Sequence, residues 1–239
     1  MKIDTQGLLF EQLNQTIRDC GDRDITLTGV MGQRYIGAGL KDKNIDIQGI
    51  PGNALGAYLN GCTIRVGGNA QDATGDTMNE GEIIINGSSG DATGYAMRGG
   101  KIFIKGNAGY RAGIHMKAYK EHKPAIVIGG KAGEFLGEYQ AGGLIVVLGL
   151  GIDGVPVGGF CGTGMHGGKI YLRSDTLPGD LPKQVNATEA TDEEMKEIEP
   201  LIGEFCQHFG IGTQSVYNQK FFCLTPNTKN PYKQLYTYN

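Results

Sequence analysis

A chain of 239 residues is long enough for one large domain or two small ones. Its 41 glycines are more than twice the usual share of about 7%, but they follow no collagen-like period and form no low-complexity tract. A formal net charge of −3 excludes the strongly basic surface with which proteins bind nucleic acid or anionic membranes.

The start of the chain and its cysteines predict a cytoplasmic protein. Residues 1 to 10 contain no basic segment followed by a long apolar core, so we expect no signal peptide. The longest apolar run, residues 143 to 152, is too short to span a bilayer. Five cysteines form no CxxC pair, and this odd number without a secretion signal predicts free thiols in a reducing compartment.

Residues 1–24 are predicted to form a helical cap. Apolar residues recur at Leu9, Leu13 and Ile17, which is the spacing of one helix face. A cap is expected here because the open end of a stack of repeats would expose unpaired strand edges and a bare core.

Residues 25–174 repeat one short phrase seven times and begin an eighth. Each unit opens with an apolar residue, a variable one, an apolar one and a variable one, followed by glycine, which predicts a half-buried strand. Four of the seven spacings between units are 19 residues, and such a regular period is typical of a solenoid. The units begin at Ile25, Ile45, Ile64, Ile83, Ile102, Ile126, Ile145 and Ile170.

The repeats predict an all-β fold. We expect a single-stranded right-handed parallel β-helix, a solenoid of about seven coils, with N- and C-terminal helical caps. The apolar strand residues should stack into two internal ladders, and variable residues such as Arg65 should face solvent. Glycines at a fixed place after each strand, such as Gly75 and Gly94, should permit turns through positive φ or close approach of neighbouring coils.

Two units are longer than the others. The extra residues are predicted to be loops on the outside, the first at Met116 to Ala125 and the second within Val155 to Lys169.

Residues 175–239 are predicted to contain a linker, an acidic helix and an aromatic tail. Pro178 and Pro182 mark the linker, and Thr191 followed by three acids is a capping box that starts the helix. Gly210 should end this helix, and Pro200 should kink or divide it. We expect it to be the second cap.

The chain offers no convincing catalytic, cofactor or metal site. Gly149, Gly151 and Gly154 have the spacing of a dinucleotide fingerprint, but the residues that follow cannot open the helix that the fingerprint requires. Asp72 and Asp91 occupy equivalent places in adjacent units, but their column is not acidic throughout, so a solvated face is favoured over a calcium site.

Two further patterns favour structural interpretations. Leu59, Met78, Met97 and Met116 share one column, and leucine in that column favours core packing over a soft-metal site. Cys161 and His166 lie close in sequence, but the glycines around them favour a flexible loop over a thiol-imidazole pair. We therefore predict no catalytic, cofactor-binding or metal-binding residue in this chain.

The repeats, exemplified by GNAQDATGDTMNEGEIIINGSSGDATG and IVIGGKAGEFLGEYQAGG, resemble the glycine-rich C-terminal β-helix of the glutamate synthase large subunit. The resemblance covers about residues 4 to 209. The β-helical subunit of formylmethanofuran dehydrogenase is a more distant relative.

The resemblance implies a structural role and the partners that go with it. In the large glutamate synthases this domain holds a glutaminase domain and a synthase domain with FMN and iron-sulfur clusters in the orientation that lets ammonia pass between them. This chain resembles the stand-alone form, so both enzymes are expected on partner polypeptides, with no cofactor bound by this chain. The tail, Lys220 to Tyr236, resembles the ending of such subunits, and the candidate docking residues are Tyr217, Phe221, Phe222, Tyr232 and Tyr236.

The function expected from the sequence is that of a non-catalytic subunit of a glutamate synthase-like oxidoreductase. Such a complex performs the glutamine-dependent reductive amination of 2-oxoglutarate. One alternative keeps the structural role in a formylmethanofuran dehydrogenase or N-methylglutamate synthase type complex. An alternative of another class is a self-sufficient carbohydrate-active or carbohydrate-binding β-helix, which would need acids or aromatics clustered on one outer face.

Overall fold

A computed structural model describes residues 1–227 of the chain. The described residues contain two α-helices, one short 3-10 helix (Thr213–Ser215) and eleven strands. The α-helices are α1 (Phe10–Asp19) and α2 (Asp192–Phe209). The strands are β1 (Lys2–Asp4), β2 (Asp24–Met31), β3 (Asn44–Ile50), β4 (Asn60–Val66), β5 (Glu80–Ile85), β6 (Lys101–Ile104), β7 (Ala125–Ile128), β8 (Ala141–Val147), β9 (Gly167–Arg173), β10 (Val185–Glu189) and β11 (Phe221–Pro226).

All eleven strands belong to one sheet in the order β1 to β9, then β11, then β10. Strands β1 to β9 pair in parallel, and the last two pairings are antiparallel. The strand starts align as predicted, since Ile64 pairs with Ile83 and Ile83 with Ile102. A second line of parallel bridges joins the units after their strands, from Ala70 through Ser89 and Ala108 to Ala132.

The predicted fold class is wrong. The described residues form a mixed α/β fold, with an eleven-stranded, mostly parallel sheet and two α-helices, and not an all-β, single-stranded right-handed β-helix. The repeat specifies only the strands that carry it. It could not specify that β11 and β10 extend the sheet in the opposite direction, or that α2 packs on a face of the sheet.

The main core is the predicted pair of ladders. Ile83 and Ile85 of β5 and their equivalents in the neighbouring strands are fully buried, and α1 adds Leu13 and Ile17 to the same cluster. A single unit exposes both of its apolar faces, so the units become stable only when stacked.

A second core lies on the opposite face of the sheet. It contains the outer residues of five consecutive strands, namely Ile84, Phe103, Val127, Val146 and Tyr171, packed with Ile198, Ile202 and Phe205 of α2. Thr191 caps α2 through its side chain, and Gly210 ends the helix in the left-handed conformation, both as predicted. The prediction that α2 caps an end of the repeats is wrong, because α2 covers this face instead.

The turn after each strand uses left-handed residues at fixed columns. Gly94 has φ +71°, and a Cβ at this position would lie 2.5 Å from Cδ1 of Ile126 in the next unit but one. The residue two places before it, Ala92, also has positive φ, and its N–H donates to the carbonyl of Tyr110 in the following unit. The turns before the last unit can therefore carry non-glycine residues in this strained conformation, because each of these turns is hydrogen-bonded to the following unit.

The two longer units differ from each other. Within the first insertion, Tyr119 and His122 pair as an antiparallel bridge, so the segment is a short hairpin. The second was predicted to be an outside loop, but only part of it is. Val157 bridges Ala132, and Cys161 and Met165 are buried in the main core, so this stretch completes a regular turn of the stack.

Within residues 1–227, no helix combines the length and the apolar character needed to cross a membrane.

Candidate docking surface

The candidate docking residues of the C-terminal part lie in different environments. Tyr217 is 43% exposed, whereas Phe221 is buried in the second core, with its ring centroid 6.4 Å from that of Tyr217. Phe222 is half-buried against the main core. Tyr232 and Tyr236 lie outside the described residues. Partner docking by this set stays a prediction, with Tyr217 as its most exposed described member.

Tyr217 borders a surface cleft of about 370 Å³ beside the start of α2. Met195 supplies an apolar side chain there, and Asp192, Lys196 and Glu199 supply charges of both signs. Burial and the nearby Glu199 carboxylate raise the pKa of the Tyr217 phenol, so it stays protonated at neutral pH and can donate a hydrogen bond.

A larger aromatic surface lies on the turns of the later units. Phe135 and Phe160 stack with their ring centroids 4.8 Å apart, and the Tyr110 ring packs edge-on against Phe135 at 5.4 Å. The Arg111 guanidinium lies over both Tyr110 and Phe135, at 4.8 and 5.6 Å from their ring centres. Phe160, at the end of this first row, is 51% exposed.

A second aromatic row runs beside the first. His115 stacks on Tyr139 with ring centroids 5.1 Å apart, and Tyr95 packs edge-on against His115 at 5.9 Å. Tyr139 lies over Gly164, where a Cβ would come within 2.5 Å of the ring. We call the two rows together the aromatic face. Its members are Tyr95, Tyr110, Arg111, His115, Phe135, Tyr139 and Phe160.

The backbone fixes the aromatic face. Phe135, Tyr139 and His115 have φ between 53° and 59°, in the left-handed region that bulky residues rarely adopt. Each is held by its own N–H, which donates to a carbonyl of the following unit at 2.9 Å. These rings therefore project from a rigid ladder and lose little conformational freedom on binding.

An ion pair connects the two rows. Arg111 Nε lies 2.8 Å from Glu138 Oε2, and the side chain of Glu138 is only 8% exposed. Arg111 belongs to the first row, and Glu138 immediately precedes Tyr139 in the second. The pair holds the guanidinium over the aromatic rings, where it can contact a partner through its exposed side.

The sequence analysis missed the aromatic face, although a signal was present. Phe135 and Phe160 occupy the same column of consecutive units, as do His115 and Tyr139. Aromatic residues that repeat at one column of a stack must lie next to one another.

The described residues hold no candidate metal site. No group of three or more His, Cys, Asp and Glu side chains in residues 1–227 could bind an ion. The aspartate column is structural, because Asp72 Oδ1 accepts from the N–H of Asp91 at 2.9 Å, and Asp91 Oδ1 accepts from the N–H of Tyr110 at 2.8 Å. These carboxylates tie one unit to the next.

The other chemical candidates also have structural positions. Leu59, Met78, Met97 and Met116 are fully buried, which confirms the core interpretation of their column. Burial raises the pKa of the Cys161 thiol to about 12, so no reactive thiolate forms there near neutral pH. In the described chain no helix begins between β8 and β9, so the glycines after β8 lack the helix that a dinucleotide site needs.

Two known proteins are similar to this chain, one in sequence and one in fold. An uncharacterized protein of Methanocaldococcus jannaschii is 44% identical over 249 aligned positions, which cover 98% of this chain and 95% of that protein. A chain in the crystal structure of the formyltransferase/hydrolase complex of Methylorubrum extorquens, determined with methylofuran, has the same fold. It superposes with a TM-score of 0.62 at 20% identity and covers 91% of this chain and 88% of its own. A model of the GXGXG motif family matches residues 11–227, which confirms the resemblance to the C-terminal domain of glutamate synthases, and the chain therefore belongs to the GXGXG motif family.

Proposed function

We propose that this chain is a structural subunit of a glutamate synthase-like complex and has no catalytic site of its own. In this proposal it holds a glutaminase and an FMN and iron-sulfur synthase, both on separate polypeptides, in a fixed relative position. The aromatic face carries the proposal, because aromatic and arginine side chains that reach the surface dominate protein–protein contacts, and Tyr95, His115 and Phe160 are exposed here while the other rings are half-buried beside them.

Family membership over residues 11–227 supports the choice of complex.

The test is to purify the tagged protein under mild conditions from its own cells. Mass spectrometry identifies the recovered polypeptides, and visible absorbance detects flavin and iron-sulfur clusters. We expect a glutaminase and a flavin-containing synthase with the wild type. Phe160→Ser should weaken the association by about tenfold or more. Tyr58→Ser is the matched control, since Tyr58 is 58% exposed and also has positive φ, but belongs to a unit two before that of Tyr95, the first member of the aromatic face.

Recovery of the chain without either enzyme, or equal loss with the two variants, would contradict the proposal. Thermal unfolding of both variants checks that neither substitution acts by unfolding the protein.

A second candidate keeps the structural role but changes the complex. The solved chain with the same fold belongs to a formyltransferase/hydrolase complex bound to methylofuran, which favours a complex that handles one-carbon groups on a furan-bearing carrier. Recovery of a formyltransferase or a hydrolase in the same purification, or of a molybdopterin or tungstopterin enzyme of the formylmethanofuran dehydrogenase type, would select this candidate. A carbohydrate-binding role, also compatible with exposed aromatics, would be selected if the chain purified alone and bound glycans through the aromatic face.

A further inference from the structure

The hairpin of the first insertion forms one wall of a polar cleft on the surface of the stack. The cleft has a volume of about 480 Å³, within the range of small-molecule sites. Its walls include Asn60, Asn79, Arg98, Tyr119, Lys120 and His122. The other units have no hairpin at this place, so the cleft depends on the five extra residues of this unit.

The hairpin is anchored on both sides. Tyr119 and His122 exchange two backbone hydrogen bonds of 3.0 Å, and the N–H of Lys117 donates to the carbonyl of Met97 in the preceding unit. Lys120, at the tip, has φ +54°. His122 lies against Gly99, where a Cβ would come within 2.9 Å of the histidine Cβ. The hairpin is therefore held against the stack through Lys117 on its first arm and His122 on its second arm.

Charge in the cleft is unbalanced. In residues 1–227 no ion pair involves Arg98, Lys117 or Lys120, and the Lys120 ammonium lies over the Tyr119 ring, 5.2 Å from its centre. Glu80 is the one carboxylate among the described lining residues. An adjoining cleft of about 250 Å³ shares Arg98 and Tyr119 and adds Lys117. The two clefts thus place three cations beside one acid.

We propose that this cleft binds a small molecule with two anionic groups, either phosphates or carboxylates. The Arg98 guanidinium can bind one group with two parallel hydrogen bonds, and the Lys120 ammonium can neutralise the second. The side-chain amides of Asn60 and Asn79 can donate to the same oxygens. The site is separate from the aromatic face and does not depend on the proposed subunit role.

Isothermal titration calorimetry on the full chain tests the site with two probes, inorganic pyrophosphate and succinate. Sodium chloride holds the ionic strength constant, because exposed charges are screened by salt. We expect saturable one-to-one binding of at least one probe below about 5 mM. Arg98→Gln and Lys120→Gln should each weaken this binding by about tenfold or more. The preferred probe identifies the phosphate or carboxylate class.

Arg65→Gln and Lys105→Gln are the controls, since both residues are exposed cations elsewhere on the stack. They should leave binding unchanged within about twofold. Absence of saturable binding of both probes overturns the proposal, and so does an equal loss with the controls.

Discussion

The outer face of the sheet differs between its two halves. In the first units the outer residues of paired strands are Thr26, Asp46 and Arg65, and the last two are exposed. From β5 onward the same column carries Ile84 and Phe103 and continues with Val127, Val146 and Tyr171, all buried beneath α2. The inner ladder is uniform throughout. The same repeat pattern therefore presents its outer residues to water in the first half of the sheet and to a second core in the later half, where α2 covers it.

The inner ladder should tolerate charged substitutions least of all parts of the protein. Ile85→Asp places a charge among fully buried residues, and an unpaired buried charge should abolish the cooperative unfolding transition. Arg65→Asp, on the exposed half of the outer face, should leave the transition nearly unchanged. Thermal unfolding followed by circular dichroism measures both, and equal effects would mean that the two faces do not differ as described.

Substitutions in the half of the outer face that α2 covers should destabilise the protein almost as strongly. Phe103→Ala removes a ring that is fully buried against α2 and should lower the free energy of unfolding by about 3 to 5 kcal/mol. Arg65→Ala, in the uncovered half, should change it by less than about 0.5 kcal/mol. Urea denaturation measures the difference, and a small effect of Phe103→Ala would show that α2 adds little to the stability of the stack.

Replacing glycine by alanine should change the free energy of unfolding in opposite directions in the repeat units and in α2. Gly94→Ala combines positive φ with a close approach to Ile126 and should lower the free energy of unfolding by about 1 to 3 kcal/mol. Gly203 lies within α2 with open space around a would-be Cβ, so Gly203→Ala should raise it by about 0.5 to 1 kcal/mol. The same sign in both variants, measured by urea denaturation, would contradict this assignment.

Removing an ion pair between the sheet and α2 should change the stability least. Lys169 Nζ lies 2.8 Å from Glu197 Oε2, to which the Tyr171 hydroxyl also donates. Burial acts to raise the pKa of the Glu197 carboxyl, but these two hydrogen bonds outweigh it and hold the pKa below its ordinary value. This stabilisation is present above the unfolded-state pKa of about 4.3 and is lost as the pH falls through the lower folded-state value.

Glu197→Gln should therefore reduce stability at pH 7 and make it less dependent on pH below about 4.5. Glu189→Gln is the control, because the Lys220–Glu189 pair is 58% exposed on both sides and should contribute little. Urea denaturation at pH 7 and pH 3 measures both variants. If Glu197→Gln left the pH dependence of stability unchanged, the Lys169–Glu197 pair would not stabilise the packing of α2 on the sheet.

The inner ladder could be predicted from the sequence because the period of the repeat is strict. A second signal, which indicates that part of the outer face is also buried, was not used. Strands β5 to β8 contain continuous apolar runs, III, IFI, AIVI and LIVV, and such runs indicate burial on both faces. Arg65 in β4 interrupts this pattern. The runs could have placed α2 on the outer face. The direction of β11 could not be read in this way, because no repeat relates it to β9.

The aromatic face and the polar cleft were not predicted, and the reasons differ. The aromatic columns were visible in the sequence, since Phe135 and Phe160 are equivalent residues of consecutive units. The cleft joins Asn60 and Arg98 from two units to a hairpin that belongs to a third. Its geometry depends on how an insertion folds back on the stack, which the period of the repeat does not determine.

The two edge strands have a consequence for solubility. A stack of nearly identical parallel strands can in principle be extended by another molecule, as happens in fibrils. Here β1 covers one edge with only three residues, and β10 covers the other with a polar strand that carries Glu189. β1 presents little hydrogen-bonding edge to a neighbour, and the polar, charged side chains of β10 disfavour a further strand at the other edge. The outer strands thus act as terminators that keep the stack at a defined length.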